Sequence, residues 1–232
     1  MIDFEVFGFW KFGNCYLLPS ETEMLVLDCG LPIREITKGL NWDISKVVGV
    51  LCTHTRLGHA KSVKDFENMG IKVWKPFSGS NLTDHMEFSS FSVQCFPLSH
   101  NGNPNFGFYI NTGGHKILYL TDYKYCRFNF KGLAVNHILC ECNSQKELAK
   151  RDFPNYEHRI RGHSSLDYCK RFISENKTNA LRTVILCHMG AEMTIAGNVV
   201  WQRFKKVVGE GVNVVVARKG LEVELIESRC PF

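Results

Sequence analysis

Apolar residues along this chain fall into short runs that are bounded by polar residues, glycine or proline. The run at 47–52 is typical, because it is long enough for a buried strand and too short for a buried helix. This pattern predicts strands at 2–8, 14–18, 23–28, 47–52, 134–142 and 183–187, with two more near 212–225. Residues 85–98 and 106–121 are predicted to be paired strands, with Gly113 and Gly114 at a hairpin turn.

Four segments have the spacing of helices instead. Residues 59–69 place apolar side chains on one helical face and precede Gly70, which predicts a helix that ends there. Ser164 and Asp167 resemble a capping box ahead of another helical face. The other predicted helices are at 32–40 and near 197–208. Strands that later alternate with helices predict an α/β fold, and because no linker divides the chain we predict one domain over residues 1–232.

Composition restricts the class of protein. The 232 residues are 44% hydrophobic and 22% charged, as in ordinary globular proteins. No apolar run approaches the roughly 18 to 20 residues that a membrane span needs, and Asp3 and Glu5 lie where a secretory signal would be basic. Several cysteines lie within apolar runs, where thiols act as small hydrophobic groups. We therefore expect a cytoplasmic protein with reduced thiols and no membrane association.

Six apolar runs deliver, at their C-terminal ends, a residue that can bind a metal or transfer a proton. These residues are Asp28, His54, His100, Asp122, Glu141 and His188. Strand ends are where open sheets build sites, because the strands fix positions while the loops supply side chains. One polar residue there can merely mark the point where a buried strand reaches water. Six such residues favour one shared site.

The segment LCTHTRLGHA, at 51–60, resembles the signature loop of the metallo-β-lactamase superfamily, which is T-H-x-H-x-D-H after a buried strand. Residues 96–123 are similar to the corresponding region of the YycJ-type exonucleases of that superfamily. RGHSS at 161–165 and VILCHMG at 184–190 are similar to late motifs that this group shares with the tRNase Z endonucleases. The resemblance covers nearly the whole chain, and it implies an αββα sandwich with a metal site at one edge of its two sheets.

The resemblance also implies the metal ligands. The superfamily pattern assigns two metals as follows: His54, residue 56 and His100 for the first, residue 58, His59 and His188 for the second, and Asp122 as the bridge between them. In this chain Arg56 stands where the pattern has histidine, and Gly58 stands where it has aspartate. Arginine cannot ligate a cation, and the loss at 58 leaves Asp122 as the only anionic ligand.

Two divalent ions a few Å apart need anionic compensation, so we predict at most one tightly bound divalent ion per chain. Zinc is expected and manganese is the alternative, because catalytic zinc commonly has three protein ligands. Asp122 can complete such a set with His59 and His188 or with His54 and His100, although Arg56 lies nearer to the second set. The sequence leaves both sets open.

Arg56 itself has two interpretations. Its planar donor fork can bind a substrate phosphate and supply the charge that a metal would otherwise supply. Alternatively, it fills a vacated ligand position in an inactive site and pairs with Asp122. By similarity, His163 would be the general acid that protonates the leaving oxygen, and Glu141 would keep its pKa near neutral. Without the resemblance, a histidine ahead of a helix is more typical of a surface or capping residue.

Basic and aromatic side chains alternate at 123–132 and again at 150–163, on both sides of the predicted site. This suits the bases and phosphates of a nucleotide or a single strand, although a solvated loop anchored by aromatic residues has the same pattern. The net charge of +5 permits an anionic substrate. The leading hypothesis is a phosphodiesterase or nuclease that acts on a nucleotide or nucleic acid through His163, Glu141, Arg56 and Asp122.

An inactive relative that binds a nucleotide or nucleic acid without cleaving it is the alternative. Hydrolysis of small thioesters or lactams is a weaker third hypothesis, because the motif around His163 resembles the phosphodiesterase branches. The oligomeric state stays open, a homodimer included.

Overall fold

A computed structural model describes the chain at residues 2–8, 13–78, 84–143, 161–190 and 197–226. The strands, in chain order, are β1 (Ile2–Gly8), β2 (Cys15–Pro19), β3 (Met24–Leu27), β4 (Val47–Leu51), β5 (Val73–Trp74), β6 (His85–Phe88), β7 (Phe91–His100), β8 (Asn103–Thr112), β9 (His115–Leu120), β10 (His137–Glu141), β11 (Thr183–Cys187), β12 (Asn213–Val216) and β13 (Leu221–Leu225). The helices are α1 (Ile33–Gly39), α2 (Leu57–Ala60), α3 (Val63–Asn68), α4 (Leu166–Asn176) and α5 (Gly197–Val208), with 3₁₀ turns at Ile44–Lys46 and Lys131–Leu133.

The strands form two sheets. The first has the spatial order β13-β1-β2-β3-β4-β5, and the second has the order β12-β11-β10-β9-β8-β7-β6. Strands β3, β4 and β5 are parallel, and so are β9, β10, β11 and β12. Parallel strands are covered on both faces, which explains why their sequences are nearly continuous apolar runs.

Alternation along single strands shows how the layers pack. Leu139 of β10 packs between the two sheets, whereas its neighbours Ile138 and Cys140 pack under α4 and α5. On the other side of the molecule, Val26 of β3 packs in a cluster that includes Ile36 of α1. The order of layers is therefore helices, sheet, sheet, helices, which is the αββα sandwich that the resemblance implies.

The site residues share one edge because of strand direction. Parallel strands bring their C-terminal ends to the same edge of a sheet. Strand β7 joins them, since β7 and β9 are both antiparallel to β8 and thus run in the same direction. This edge carries the six residues predicted at strand ends: Asp28, His54, His100, Asp122, Glu141 and His188.

The single helix predicted at 59–69 is wrong, because the segment forms α2 and α3 with a break at Ser62. The Ser62 N–H donates to the carbonyl of Cys29 (3.0 Å) rather than continuing α2. Its hydroxyl donates to the carbonyl of Leu31 (2.7 Å). Tertiary hydrogen bonds to the neighbouring loop thus interrupt a helical pattern.

The continuous strand predicted at 85–98 is also wrong, because it is divided into β6 and β7. The turn between them contains Ser89 and Ser90, whose hydroxyls donate to the carboxylate of Glu23 (2.6 and 2.8 Å). The hairpin at Gly113 and Gly114 is confirmed between β8 and β9, and both glycines have positive φ (50° and 83°).

The capping box predicted from Ser164 and Asp167 is wrong, because the N-cap is the next serine and the residue three positions after it is a tyrosine. Helix α4 begins at Leu166, and its N-cap is Ser165, which accepts a hydrogen bond from Tyr168 N (3.2 Å). Ser164 instead donates its hydroxyl to the carbonyl of Glu141 (2.8 Å). The first of the two serines therefore fixes the loop to the end of β10, and the second begins the helix.

The nine described cysteines carry unbridged thiols, and most of them are buried. Among the described residues, no helix has the length and apolar content needed to cross a membrane. Most of the basic stretch predicted at 150–163 lies outside the described residues, which resume at 161.

Candidate metal centre

Three of the residues at the strand ends have left-handed backbone conformations. Asp28, Asp122 and His188 have φ of 56°, 50° and 47° directly after β3, just after β9 and directly after β11. Residues other than glycine rarely adopt this region, and such conformations often concentrate at functional sites. Here they turn the chain at the end of each strand, where the side chains meet.

Asp28 lies beneath the site and holds its neighbours in place. Its carboxylate accepts hydrogen bonds from Thr53 N (2.9 Å), His59 Nδ1 (2.7 Å) and the Tyr119 hydroxyl (2.6 Å). The residue is fully buried. Asp28 therefore orients the loop after β4, as a carboxylate behind a histidine commonly does in metal sites.

One group of donors consists of His54, His100 and Asp122, with ligand atoms that lie within 4.8 Å of one another. His54 Nε2 lies 3.6 Å from Asp122 Oδ2, and His100 Nε2 lies 4.0 Å from the same oxygen. The other nitrogen of each ring is engaged: His54 Nδ1 contacts the Thr53 hydroxyl (2.9 Å), and His100 Nδ1 contacts the carbonyl of Gly162 (2.9 Å).

This group fits a divalent cation. His54 Nε2 is buried and makes no hydrogen bond to any described residue, although buried polar atoms normally have a partner. Burial and the neighbouring His59 lower the pKa of His54 to about 2, so its ring is neutral. A neutral imidazole with an unsatisfied nitrogen beside a carboxylate is a suitable ligand for zinc.

His59 lies at the centre of the site, with both ring nitrogens in contact with the protein. Nδ1 contacts Asp28, while Nε2 lies 2.9 Å from Asn14 Nδ2 and 3.4 Å from Asp122 Oδ1. Burial lowers the pKa of His59, but Asp122 and Asp28 outweigh it and raise this pKa to about 10. A protonated Nε2 would face Asp122, and a neutral Nε2 would accept from Asn14, so this atom has a partner in either state.

A second group of donors consists of Asp122, Glu141, His163 and His188, again within 4.8 Å of one another. His188 Nδ1 lies 3.0 Å from Asp122 Oδ1 and 3.2 Å from Glu141 Oε1. His163 Nδ1 contacts Glu141 Oε1 at 2.6 Å. All four side chains are buried. Asp122 belongs to both groups of donors, whereas Glu141 belongs only to the second.

Carboxylates and histidines in this second group shift each other's pKa. Burial lowers the pKa of His163, but the charge and hydrogen bond of Glu141 prevail and raise it above its usual range. Burial raises the pKa of Glu141, but His163 prevails and lowers it. The pKa of Asp122 is also well below its usual value, because His188 and His59 outweigh the effect of burial. A carboxylate partner thus allows the buried His163 to hold a proton.

The resemblance aligns Arg56 and Gly58 with two ligands of the superfamily pattern, and this alignment stays a prediction. Burial, and to a smaller extent the charge of Arg56, acts to lower the pKa of His54, His100 and His163, although Glu141 outweighs both effects at His163. The Arg56 guanidinium is therefore within electrostatic range of these rings. Among the described residues, Arg56 and Asp122 form no ion pair, since all four ion pairs of Asp122 are with histidines. A Cβ built on Gly58 meets no atom within 4 Å, so a larger side chain fits there.

Three residues that complete the site were not among the predicted site residues: Asn14, Thr53 and Ser164. Asn14 contacts His59, Thr53 contacts His54 and Asp28, and Ser164 holds the end of β10. Thr53 is part of the signature loop and was therefore visible in the sequence. Asn14 had no comparable signal, because it lies far from the loop in the sequence and precedes an ordinary strand.

Comparison with solved structures identifies the architecture. The metallo-β-lactamase fold protein YhfI from Bacillus subtilis superposes with a TM-score of 0.69, over 97% of this chain and 100% of that one, at 17% sequence identity. The chain has the metallo-β-lactamase fold. The short form of human tRNase Z matches this fold with a TM-score of 0.62 at 12% identity, covering 97% of this chain and 99% of that one.

A diphosphatase from the PhnP family has the same fold, with a TM-score of 0.65 at 12% identity over 98% of this chain and 99% of that one. No protein-family model matches the chain, and no curated protein matches it in sequence. The predicted αββα metallo-β-lactamase sandwich is thus confirmed as a fold. The roles of individual site residues stay predictions.

Proposed function

We propose that this protein is a metal-dependent phosphodiesterase or nuclease that hydrolyses a nucleotide or nucleic acid. The observation that carries the proposal is the contact between His163 and Glu141 (2.6 Å) at the edge of the candidate metal centre. An alkoxide leaves phosphorus more readily when its oxygen is protonated, and a protonated histidine beside a metal could supply that proton. Two proteins of the same fold, a tRNase Z and a diphosphatase, are named for the cleavage of phosphate-containing substrates, which supports this choice.

The residues fit a single divalent ion, zinc or alternatively manganese. His54, His100 and Asp122 would hold it, and His59 with His188 forms the other candidate set around Asp122. The bound ion would act as a Lewis acid on a phosphoryl oxygen and would activate water. Arg56 and Gly58 remove one ligand from each set, which supports one ion per chain rather than two.

Arg56 would bind an equatorial oxygen of the phosphate. Its charge acts on His54 and His100, two candidate ligands, and on His163, the candidate acid. A guanidinium can donate two parallel hydrogen bonds to a phosphate and compensate for a missing cation. The absence of an Arg56–Asp122 ion pair among the described residues supports this role over the filling of an inactive site.

His163 would protonate the leaving oxygen, and Glu141 would hold it in position. The His163 ring lies between His100 (centroids 5.4 Å apart) and His188 (5.3 Å), so it faces the candidate metal centre. Glu141 contacts His163 Nδ1, which leaves Nε2 as the nitrogen that can deliver a proton. The raised pKa of His163 keeps the ring protonated closer to neutral pH.

The nucleic acid or nucleotide would extend across the segment that follows Asp122. Tyr125 is 52% exposed, and a cavity of about 220 Å³ is lined by Pro97, Leu98, Ser99, Tyr125 and Arg127. The Arg127 guanidinium lies 5.0 Å from the centre of the Phe128 ring, which keeps a planar cation beside the cavity. Stacking faces next to cations suit bases and phosphates.

The unbridged thiols of the nine described cysteines support a cytoplasmic location.

Turnover by the wild-type protein tests this proposal. Metal-stripped protein would be supplied with zinc, manganese or magnesium and assayed on a nitrophenyl phosphodiester, single-stranded RNA and single-stranded DNA. We expect hydrolysis with zinc or manganese that is lost in the double variant His54→Gln with His100→Gln. If no metal gives turnover on any substrate, the alternative function, a nucleotide or nucleic-acid binder without catalysis, replaces the proposal.

Arg56 separates the two functions further. Arg56→Ala should weaken binding of a nucleotide or single strand by about 10- to 100-fold, because a charge-assisted hydrogen bond to phosphate contributes about 1.5–3 kcal/mol. Arg56→Lys keeps the charge without the fork and should recover part of the affinity. Unchanged affinity in both variants would mean that Arg56 does not bind the substrate.

A further inference from the structure

The side chain of Asn14 is held against His59. Asn14 directly precedes β2 and is 1% exposed. Its Nδ2 lies 2.9 Å from His59 Nε2, and its Oδ1 accepts a hydrogen bond from the Tyr16 hydroxyl (3.1 Å). Both ends of the amide are therefore in contact with protein groups, which fixes its orientation beside the imidazole.

The backbone of Asn14 is fixed against position 58. Asn14 N donates to the carbonyl of Gly58 (2.7 Å), and Gly30 N donates to the carbonyl of Asn14 (2.8 Å). A Cβ on Gly30 would clash with the Gly58 carbonyl oxygen. Only glycine at position 30 therefore permits this close approach of the two segments. The backbone of Asn14 thus lies against the backbone at position 58, and its side-chain amide lies against His59.

We propose that Asn14 closes the metal position beside His59 and thereby confines a divalent ion to His54, His100 and Asp122. This inference rests on the proposed metal-dependent function and specifies which half of the site holds the ion. His59 is then a positioning residue between Asp28 and Asn14 rather than a ligand.

The contrast between two neighbouring histidines supports this assignment. His54 Nε2 makes no hydrogen bond to a described residue, so a cation could bind it without displacing a protein group. A cation on His59 Nε2 would have to displace the Asn14 side-chain amide, whose Nδ2 lies 2.9 Å from this nitrogen. On the far side, His188 Nδ1 already contacts both Asp122 and Glu141.

Metal content, measured without substrate, tests the assignment directly. Each protein would be loaded with zinc chloride or cobalt chloride, dialysed, and analysed for metal per chain, and the visible spectrum of the cobalt form would report its coordination. We expect His59→Gln to retain about one zinc per chain, with no more than the roughly 10- to 100-fold loss of affinity that an indirect partner of a ligand causes, and we expect His54→Gln to lose more affinity than that. The two variants are matched, because each replaces one imidazole of the same loop.

Restoring the carboxylate tests Asn14 itself. Gly58→Asp alone should stay near one zinc per chain, because the amide still covers His59. Gly58→Asp with Asn14→Ala should bind a second zinc, to about two per chain, as dinuclear sites of this pattern do. Gly58→Ala with Asn14→Ala is the matched control that adds no ligand and should stay near one. A gain of metal is not a result that structural damage would produce.

Two outcomes would overturn the inference. One is loss of the single zinc in His59→Gln while its melting temperature stays close to that of the wild type. The other is a second zinc in Gly58→Asp with Asn14 intact. If the Asn14 variants do not fold, the comparison of His59→Gln with His54→Gln still decides the matter. Because these assays contain no substrate, the metal content per chain can be interpreted even if the protein proves to have no hydrolase activity.

Discussion

The two ends of β10 carry two buried pairs with opposite properties, one of a carboxylate with a histidine and one of two histidines. At the C-terminal end, Glu141 contacts His163 at 2.6 Å. At the N-terminal end, His137 Nε2 contacts His115 Nδ1 at 3.0 Å. Both ends are buried and only the length of one short strand separates them. The carboxylate is the main chemical difference between them.

Comparing His137 with His163 shows what allows a buried histidine to hold a proton. Burial and the neighbouring His115 lower the pKa of His137 to about 3, so this ring is neutral at physiological pH. Glu141 overcomes the same burial effect at His163 and raises its pKa. A carboxylate partner therefore favours the protonated form of a buried histidine, whereas a second histidine as partner favours the neutral form.

The largest expected effect is on catalysis by His163. His163→Ala should reduce cleavage of an unactivated phosphodiester by about 10² to 10⁴-fold, because that is the usual contribution of a general acid. A nitrophenyl diester leaves without a proton and should be largely spared. Rates on both substrates would be measured in one preparation, with metal content checked. Equal losses on both would rule out the acid role and remove the functional contrast between the two ends.

The second prediction concerns the stability that the Glu141–His163 pair provides. The raised pKa of His163 gives stability that is present below about pH 6.5 and is lost as the pH rises through the folded value. The lowered pKa of Glu141 gives stability that is present above about pH 4.5 and is lost as the pH falls. Glu141→Gln should therefore cost most between these values, roughly 3 kcal/mol, because it breaks a buried charged pair.

Urea denaturation of the wild type and Glu141→Gln at pH 5.5 and pH 9 would measure this. The difference in unfolding free energy should be larger at pH 5.5. A difference that is independent of pH would indicate that the pair is neutral in the folded protein.

The opposite end should behave in the opposite way. Because the folded pKa of His137 is lowered from 6.5 to about 3, the unfolded chain takes up a proton that the folded chain does not. Stability should then fall as the pH falls below 6.5, by roughly 2 kcal/mol at pH 5 from this group. His137→Gln keeps an amide for His115 and cannot titrate, so the variant should lose less stability than the wild type between pH 7 and pH 5. Parallel losses would contradict the assignment.

The smallest expected effect separates two adjacent serines. Ser164→Ala removes the hydrogen bond to the Glu141 carbonyl, and Ser165→Ala removes the cap of α4. Each should destabilise the protein by about 1 kcal/mol. Only Ser164→Ala should also lower the rate on an unactivated diester, because it loosens the loop that carries His163. Equal kinetics in the two variants would show that this bond does not position the acid.

Much of the fold was visible in the sequence because strands have a local signal. The bounds 2–8 and 183–187 are confirmed, and the hairpin at Gly113 and Gly114 follows from the need for positive φ. The errors at Ser62 and Ser89 have a different origin. There the chain turns because serine groups bond to distant residues, Cys29 and Glu23, and no local pattern reports such partners. The single domain predicted over 1–232 and the catalytic roles of the site residues stay predictions.

The sequence by itself determined which residues stand at strand ends, because burial on both faces of a parallel strand produces an apolar run that stops where the site begins. Through the resemblance, Arg56 and Gly58 also predict that the candidate metal site departs from the superfamily pattern. Two contacts could be seen only in the folded protein. Asn14 lies against His59, which is 45 residues away in the sequence, and Glu141 contacts His163, which is 22 residues away. A hydrogen bond forms only when its two atoms lie within a narrow range of distances. Those distances are set by how the two sheets and their loops pack, and not by the spacing of residues along one strand.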